Sequence, residues 1–302
     1  MKEKNIVVLG KFDGVHTGHA QLLKKATEIS CKNAMPIVVY VISVKKNEAI
    51  TDDMEKENIL KILGADKVIF RTLDTKLKNM LPEDFVQEIL CNELNASCVV
   101  VGENFRFGKD RCGSSEVLSG LCADIGADCY VVDTLRMISA DGNEETVSST
   151  AIREYLKSGQ VDFAYKYLGR PYSIKGVVTH GKHLGTDMGI PTANIVPPEN
   201  SPELKKGVYA SRIVIDGITY NSITNVGCNP TVEQDRALIT ETHILDEDID
   251  CYGKMAEVRF IKFLRPETTF KNTEELFGQI ESDIFSAKKF WDENSDLEIS
   301  VP

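Results

Sequence analysis

Two histidines stand three residues apart in a glycine-rich string near the start of the chain. The string runs Gly10-Lys-Phe-Asp-Gly-Val-His-Thr-Gly-His19 and links an apolar strand pattern to a helical pattern. Open α/β sheets bind phosphate at such turns, because backbone amides and the helix dipole face the ligand. His16 and His19 can donate hydrogen bonds there to charge that develops on a phosphorus during in-line displacement. The string contains neither GxxxxGK[ST] nor GxGxxG, so it predicts a phosphate site of another kind.

Two further segments of the same half carry polar groups beside predicted elements. Glu103-Asn-Phe-Arg-Phe-Gly108 follows the apolar run SCVVVG, and its amide, rings and cation can hold a base and phosphates. Val147-Ser-Ser-Thr-Ala-Ile-Arg153 places hydroxyls at a helix start, one turn before an arginine. Plain N-capping by Ser148 or Ser149 explains this second segment equally well.

A glycine-rich loop with an extended end indicates a second phosphate site in the other half. Residues two apart in a strand share a face, so Thr192 and Asn194 present a hydroxyl and a carboxamide oxygen together. Hard oxygen ligands of this kind suit Mg²⁺, which completes its shell with phosphates and water. Upstream glycines let the backbone approach those phosphates closely. These glycines are Gly181, Gly185 and Gly189.

Glu241-Thr-His243 lies in the predicted strand TETHIL. Glu241 and His243 share one face of that strand, and Thr242 and Ile244 take the other. A carboxylate within reach of a primary hydroxyl can orient it and accept its proton during phosphoryl transfer. The competing interpretation is a solvent-facing polar stripe on a half-exposed strand.

The elements that must position these residues follow two different patterns. Up to about residue 135, apolar runs alternate with helical segments, which predicts a parallel sheet flanked by helices. After residue 171 the pattern changes to short period-two strands with a hairpin signal at Asp216-Gly217, which predicts an antiparallel β-barrel. The segment NTEELFGQIESDIFSAKKF has helical spacing and should pack on that barrel. We expect domains at 1–165 and 168–290 and an acidic tail at 291–302.

Composition narrows the classes of partner. Hydrophobic residues make up 42% of the 302-residue chain, which is typical of a soluble globular protein. A net charge of −11 argues against nucleic acid and anionic lipid as general partners. Eight scattered cysteines indicate reduced thiols, and no stretch approaches the roughly 20 apolar residues that span a bilayer. We therefore expect a cytoplasmic protein that binds small molecules and no membrane; its oligomeric state stays open.

The string with H-x-G-H resembles the signature of the HxGH nucleotidyltransferase superfamily. With GENFxFG and SSTxxR in this order, the first half resembles the adenylyltransferase module of prokaryotic bifunctional riboflavin kinase/FAD synthetases. The resemblance implies a Rossmann-like α/β fold, catalytic roles for His16 and His19, and an adenylation site for ATP and FMN. That site would include Gly10, Phe12, Asp13, Gly14, Gly18, Asn104, Arg106, Ser149, Thr150 and Arg153.

The second half resembles riboflavin kinase over about residues 168 to 290. The motifs in order are PTAN, Gly207-Val-Tyr209, Asn225-Val-Gly-Cys-Asn-Pro-Thr231, ExH and Leu264-Arg-Pro-Glu267 before an amphipathic helix. The resemblance implies a β-barrel with a C-terminal helix, Mg²⁺ on Thr192 and Asn194, and Glu241 as the base. The remaining nucleotide and flavin contacts would come from Gly181, Gly185, Gly189, Asn225, His243 and Arg265.

The family resemblance predicts that the chain phosphorylates riboflavin to FMN with MgATP and adenylates FMN to FAD, releasing pyrophosphate. One segment departs from the pattern: after the second strand the family usually carries a TFxPHP-like element, whereas this chain reads Val41-Ile-Ser-Val-Lys-Lys46. Lys45 or Lys46 can supply compensating charge. The alternatives are a riboflavin kinase with a weak or inactive adenylyltransferase-like domain, and a flavin-binding sensor without turnover.

Overall fold

The chain forms two compact units that join in sequence between Ser149 and Thr150. The computed structural model describes residues 4–43, 48–179, 190–228, 238–247 and 249–294. The second unit therefore includes nearly all of helix α6 (Ser149–Ser158) and the whole of α7 (Val161–Leu168). The domain boundaries expected near residues 165 to 168 stay a prediction.

The first unit is built on a parallel sheet. Its five strands take the order β3-β2-β1-β4-β5, and all neighbouring pairs are parallel. The apolar run of β1 is buried at every position from Ile6 to Leu9, because helices cover both faces of such a sheet. The strands are β1 (Asn5–Gly10), β2 (Ile37–Ser43), β3 (Lys67–Thr72), β4 (Ala96–Gly102) and β5 (Asp128–Val132). A small hairpin follows, β6 (Arg136–Ile138) and β7 (Glu144–Thr146).

The helices of the first unit connect these strands. Helix α1 buries Leu22, Leu23, Ala26 and Ile29, and these join the cluster that contains Ile6 and Val8 of β1. Helix α4 continues directly into a π-helix, Phe85–Glu93, which packs in a second cluster. The helices are α1 (Thr17–Asn33), α2 (Asp53–Ile62), α3 (Thr75–Lys78), α4 (Pro82–Asp84) and α5 (Ser115–Asp124).

The second unit is a curled antiparallel sheet. Its six strands take the order β8-β13-β10-β11-β12-β9, and the two edges meet at a bridge between Thr179 and Asn194. Asp216 and Gly217 form a two-residue turn with φ of 52° and 80°, as the hairpin signal predicted. The strands are β8 (Tyr172–Val177), β9 (Ala193–Ile195), β10 (Gly207–Ile215), β11 (Ile218–Cys228), β12 (Leu238–Ile244) and β13 (Met255–Pro266). The predicted architecture of a parallel α/β domain before an antiparallel, barrel-like sheet is confirmed.

Helix α8 (Thr273–Glu293) packs on part of the outer face of the curled sheet, against β10, β11 and β13. Ala287 and Trp291 pack there in one cluster with Val208, Ala210 and Ile261. Trp291, the first residue of the predicted acidic tail, is in α8 and only 5% exposed. The bounds of that tail stay a prediction. The rest of that predicted tail, residues 295–302, lies outside the described residues.

None of the helices in the described ranges has the length and apolar character that crossing a membrane requires.

Candidate active sites

The loop after β1 is held in an unusual backbone conformation. Phe12, Gly14 and Val15 have φ of 50°, 79° and 40°, although two of them are not glycine. Neighbouring residues hold the loop: Asp13 Oδ1 accepts the Ile50 amide at 3.1 Å, and Gly14 donates its amide to Thr51 Oγ1 at 3.3 Å. Strained φ values of this kind persist only where the surroundings enforce them, and they cluster at functional sites.

His16 and His19 cap helix α1 reciprocally. His16 is the N-cap residue, its Nδ1 accepts the His19 amide at 3.3 Å, and His19 Nδ1 accepts the His16 amide at 3.3 Å. The two imidazoles stack with centroids 3.7 Å apart, and a Cβ on Gly18 would lie 3.1 Å from His16 Nδ1. A capping box satisfies two amides that have no partner within the helix. In this chain it also fixes the orientation of both rings.

The tautomer of His19 follows from that cap. Burial, and next the nearby His16 and Lys56, hold the pKa of His19 well below its ordinary value. A neutral imidazole that accepts a hydrogen bond at Nδ1 carries its proton on Nε2. His19 therefore presents an N–H donor away from the helix cap, which suits a phosphate oxygen at a helix N-terminus.

The segment after β4 lies at the same sheet edge. In the order β3-β2-β1-β4-β5, strands β2 and β3 extend the sheet on one side of β1, and β4 and β5 extend it on the other side. Ligands of open α/β sheets bind at such a switch point in the strand order. Asn104 follows the end of β4, is exposed, and donates from Nδ2 to Thr134 Oγ1 at 2.9 Å. Thr134 Oγ1 in turn donates to Glu103 Oε2 at 3.0 Å. Arg106 is exposed and donates to the Phe105 carbonyl at 2.8 Å.

Ser149 ties the third predicted segment to the first. Its Oγ donates to the Asp13 carbonyl at 2.9 Å, so this hydroxyl supports the loop after β1. Thr150 and Arg153 stand farther along α6 and belong to the second unit. Their part in the adenylation site stays a prediction.

Four predicted kinase residues line up across the outer face of the curled sheet. Asn194 of β9 pairs with Glu241 of β12, and Glu241 pairs with Asn225 of β11. Asn225 pairs with Val208, which pairs with Arg265 of β13. Directly opposite residues point to the same face, so these positions form one row. Thr242 and Ile244 are buried on the inner face, as the alternation predicted.

Asn194 has a buried oxygen that lacks a partner. The residue is 1% exposed, and its Nδ2 lies 3.4 Å from the Thr192 carbonyl and 3.5 Å from Thr192 Oγ1. Oδ1 has no hydrogen-bond partner among the described residues. A buried acceptor left unsatisfied costs about 1 to 3 kcal/mol. An oxygen-preferring cation beside Thr192 and Asn194 would relieve that cost, so the donor set fits Mg²⁺.

His243 and Arg265 bind protein groups. His243 Nδ1 donates to the Pro191 carbonyl at 2.9 Å and so anchors the segment before Thr192. Arg265 forms a bidentate ion pair with Asp283 of α8, with Nε–Oδ1 and Nη2–Oδ2 distances of 2.7 and 2.6 Å. Both residues therefore fix the elements around the row.

Comparisons with known proteins match both halves separately. The FAD synthetase family model matches residues 1–151, and the riboflavin kinase model matches residues 168–291. A bifunctional riboflavin kinase/FMN adenylyltransferase from Listeria monocytogenes is 32% identical, over 95% of this chain and 92% of that protein. The Escherichia coli K12 enzyme of the same name is 31% identical, over 96% and 94%. The chain belongs to this bifunctional family.

A solved structure has the same overall fold. It is described as a macrolide-efflux protein from Streptococcus pneumoniae, is 26% identical, covers 95% of both chains and has a TM-score of 0.85. What that description says of efflux applies to that protein. The likeness shows that this one relative has the same fold as this chain.

Some positions of the family pattern fall on residues that the structure does not describe. Gly181, Gly185 and Gly189 lie outside the described residues, as do Lys45 and Lys46 of the segment that departs from the TFxPHP-like element. The departure begins at the carboxyl end of β2, beside β1, where Ser43 Oγ is buried and has no partner in the described part of the chain.

Sequence reasoning missed one cation beside the histidines. Lys56 of α2 is 7% exposed, pairs with Asp53 at 3.0 Å, and its charge contributes to the lowered pKa of His19. A lysine in DMEKENIL has the pattern of an exposed helical residue. Only the packing of α2 against the sheet reveals that it is buried.

Proposed function

We propose that this family member converts riboflavin to FAD in two steps at two separate sites. The kinase step transfers the γ-phosphoryl group of ATP to riboflavin, and the adenylation step joins FMN to AMP and releases pyrophosphate. The observation that carries the proposal is the row that sets Glu241 between Asn194 and Asn225 in the riboflavin kinase half. A cytoplasmic location is part of the proposal, because ATP is the phosphate donor.

In the kinase step, Glu241 acts on the primary hydroxyl of riboflavin. Its carboxylate orients that hydroxyl and accepts its proton as the oxygen–phosphorus bond forms. Thr192 Oγ1 and Asn194 Oδ1 would hold Mg²⁺, which neutralises charge on the ATP phosphates when it is bound. The orphaned Asn194 oxygen supports this assignment. His243 positions the Thr192 segment through the Pro191 carbonyl.

In the adenylation step, the histidine pair binds the α-phosphate of ATP. A phosphate oxygen of FMN attacks the α-phosphorus in line, and the bond to pyrophosphate breaks. His16 and His19 stabilise the charge that develops on the non-bridging oxygens and need not transfer a proton. Asn104 and Arg106 support this role because they follow β4 at the same edge of the sheet. Ser149 supports it because its hydroxyl donates a hydrogen bond to the Asp13 carbonyl in the loop after β1.

A riboflavin kinase with a weak adenylyltransferase is the second candidate. The departure at Val41 to Lys46 favours it, because the family's TFxPHP-like element would stand at the edge of the sheet where the histidines lie.

A single assay separates the candidates. Purified protein receives MgATP with riboflavin in one reaction and with FMN in another, and both flavin products are followed by chromatography. FMN from riboflavin together with FAD from FMN is expected. FMN formation alone would establish the second candidate. If neither FMN nor FAD formed, both enzymatic candidates would be contradicted and the flavin-binding sensor would remain.

A further inference from the structure

Glu267 lies over the same outer face as the row of kinase residues. Its Oε1 is 3.0 Å from the point that a Cβ on Gly227 would occupy, and Asn225 Nδ2 is 3.6 Å from that point. Gly227 is buried and stands two residues after Asn225 in β11, so the two positions share a face. The carboxylate of Glu267 and the carboxamide of Asn225 are therefore neighbours on this face.

The segment that carries Glu267 is anchored on both sides. Arg265 Nη1 donates to the Pro266 carbonyl at 2.9 Å and to Thr268 Oγ1 at 3.4 Å, while its other donors bind Asp283. The segment crosses β10 at Gly207, where a Cβ would lie 2.3 Å from the Arg265 carbonyl oxygen. Two positions without side chains, Gly207 and Gly227, thus let Glu267 reach across the sheet.

The polar groups follow one another in a fixed order. Glu241 is on β12, Asn225 is its partner on β11, and Glu267 lies beside Asn225. Neighbouring strands are about 4.8 Å apart, a span that a polyol of a few carbons covers. Riboflavin has such a chain: its ribityl group carries secondary hydroxyls next to the primary hydroxyl that is phosphorylated.

We propose that Glu267 binds the secondary hydroxyls of the ribityl chain whose primary hydroxyl lies at Glu241. The inference rests on the proposed kinase site and adds a residue that determines its specificity. A carboxylate accepts strong, charge-assisted hydrogen bonds from hydroxyls. A site built to bind hydroxyls in this way discriminates strongly against a substrate that lacks them.

The test compares two substrates on matched variants. Glu267→Ala and Glu267→Gln are assayed with riboflavin and with a flavin whose ribityl group is replaced by a hydroxypentyl chain, which keeps the primary hydroxyl alone. Glu199→Ala, an exposed acidic residue of another loop, is the control. For riboflavin, Glu267→Ala should lower kcat/KM by about ten- to a hundredfold, chiefly by raising KM. A loss of that size corresponds to the loss of one hydrogen bond to a charged group. Glu267→Gln should lower kcat/KM for riboflavin less than Glu267→Ala does. The kcat/KM for the hydroxypentyl flavin should be the same in all variants.

Three results would overturn the proposal. Equal losses of kcat/KM with both flavins would show that Glu267 only supports the fold, and unchanged kcat/KM would show that it contacts no substrate. A rise confined to the KM for MgATP would show that it binds the nucleotide. Failure of the kinase assignment itself looks different, because the unmodified protein would then phosphorylate neither flavin. Thermal unfolding of each variant checks that the fold is kept.

Discussion

The two sites of this chain are assembled in opposite ways. The proposed adenylation site lies at the carboxyl ends of parallel strands, where the strained loop after β1, the histidine cap on α1 and the segment after β4 lie at one edge of the sheet. The proposed kinase site lies across the face of an antiparallel sheet, where strand register sets Asn194, Glu241 and Asn225 side by side. One site is fixed by backbone conformation over a short string, and the other by the pairing of distant strands.

This difference predicts how each site fails. A side-chain change in the kinase row removes one group and leaves the strand register intact, because backbone hydrogen bonds hold the pairing. A change at the histidine cap alters a proposed phosphate-binding group and the start of a helix together. Variants that separate these effects test the comparison.

The largest expected effect is on Glu241. Glu241→Gln keeps the size of the side chain and its place in the row but cannot accept the proton of the hydroxyl. FMN formation from riboflavin should fall by about a hundred- to ten-thousandfold, the usual contribution of a general base. The same preparation should make FAD from supplied FMN at the unmodified rate. Loss of both activities would contradict independent sites, and it is measured by following both flavins chromatographically.

The histidine pair should show the reverse pattern. His16→Ala with His19→Ala should reduce FAD formation by about a hundred- to a thousandfold, the range for lost oxyanion donors, and leave FMN formation unchanged. His16→Asn is the matched variant, because Asn is among the best N-cap residues but lacks the Nε2 donor. We expect His16→Asn to lose activity like His16→Ala while keeping about 1 kcal/mol of stability that the alanine variant loses. Equal FAD formation by His16→Asn and the unmodified protein would show that His16 serves only as the N-cap of the helix.

The same contrast between a contiguous string and paired distant strands explains how much of each proposed site the sequence predicted. The adenylation string is contiguous, so its glycines, its histidines and its position between a strand and a helix could be predicted from the sequence. In the second unit, the placement of Thr242 and Ile244 on the face opposite Glu241 could be predicted from strand alternation. The row could not, because no local pattern reveals that Arg265 and Asn225 both flank Val208. The reciprocal cap of His16 and His19 and the burial of Lys56 also depend on packing and were missed.

Asn194 should govern the metal requirement of the kinase alone. Asn194→Ala removes the orphaned Oδ1, so the Mg²⁺ concentration for half-maximal FMN formation should rise by about tenfold, the lower range for lost metal-site groups. Asn200→Ala, an exposed amide in a nearby turn, is the control. The measurement is a Mg²⁺ titration of each activity at fixed ATP. An equal rise for FAD formation would show that the substitution disturbs both activities and that Asn194 is not a metal ligand of the kinase alone.

Asp283 should matter for stability of the second unit. Its side chain is 10% exposed and that of Arg265 is 22% exposed, so Asp283→Ala leaves a partly buried guanidinium without its bidentate partner. The unfolding free energy should fall by about 2 kcal/mol, below the full cost of breaking a fully buried pair. Trp291 is the one tryptophan of the chain and lies on α8, so its fluorescence in urea reports this unit. Glu281→Ala on the same helix should change little, and FAD formation should persist.

The smallest expected effect is the pH dependence of the histidine cap. His19 has a lowered pKa because of burial and then the charges of His16 and Lys56, so the folded chain keeps it neutral where the unfolded chain binds a proton. The His19 contribution to stability is then fully present above about pH 6.5 and falls as the pH drops below that value, by at most about 1.4 kcal/mol per pH unit. Hydrogen exchange of the β1 amides measures this in the first unit, and His19→Asn, which can still accept the His16 amide, should remove that part of the slope. An identical slope in both proteins would mean that the His19 pKa is not lowered.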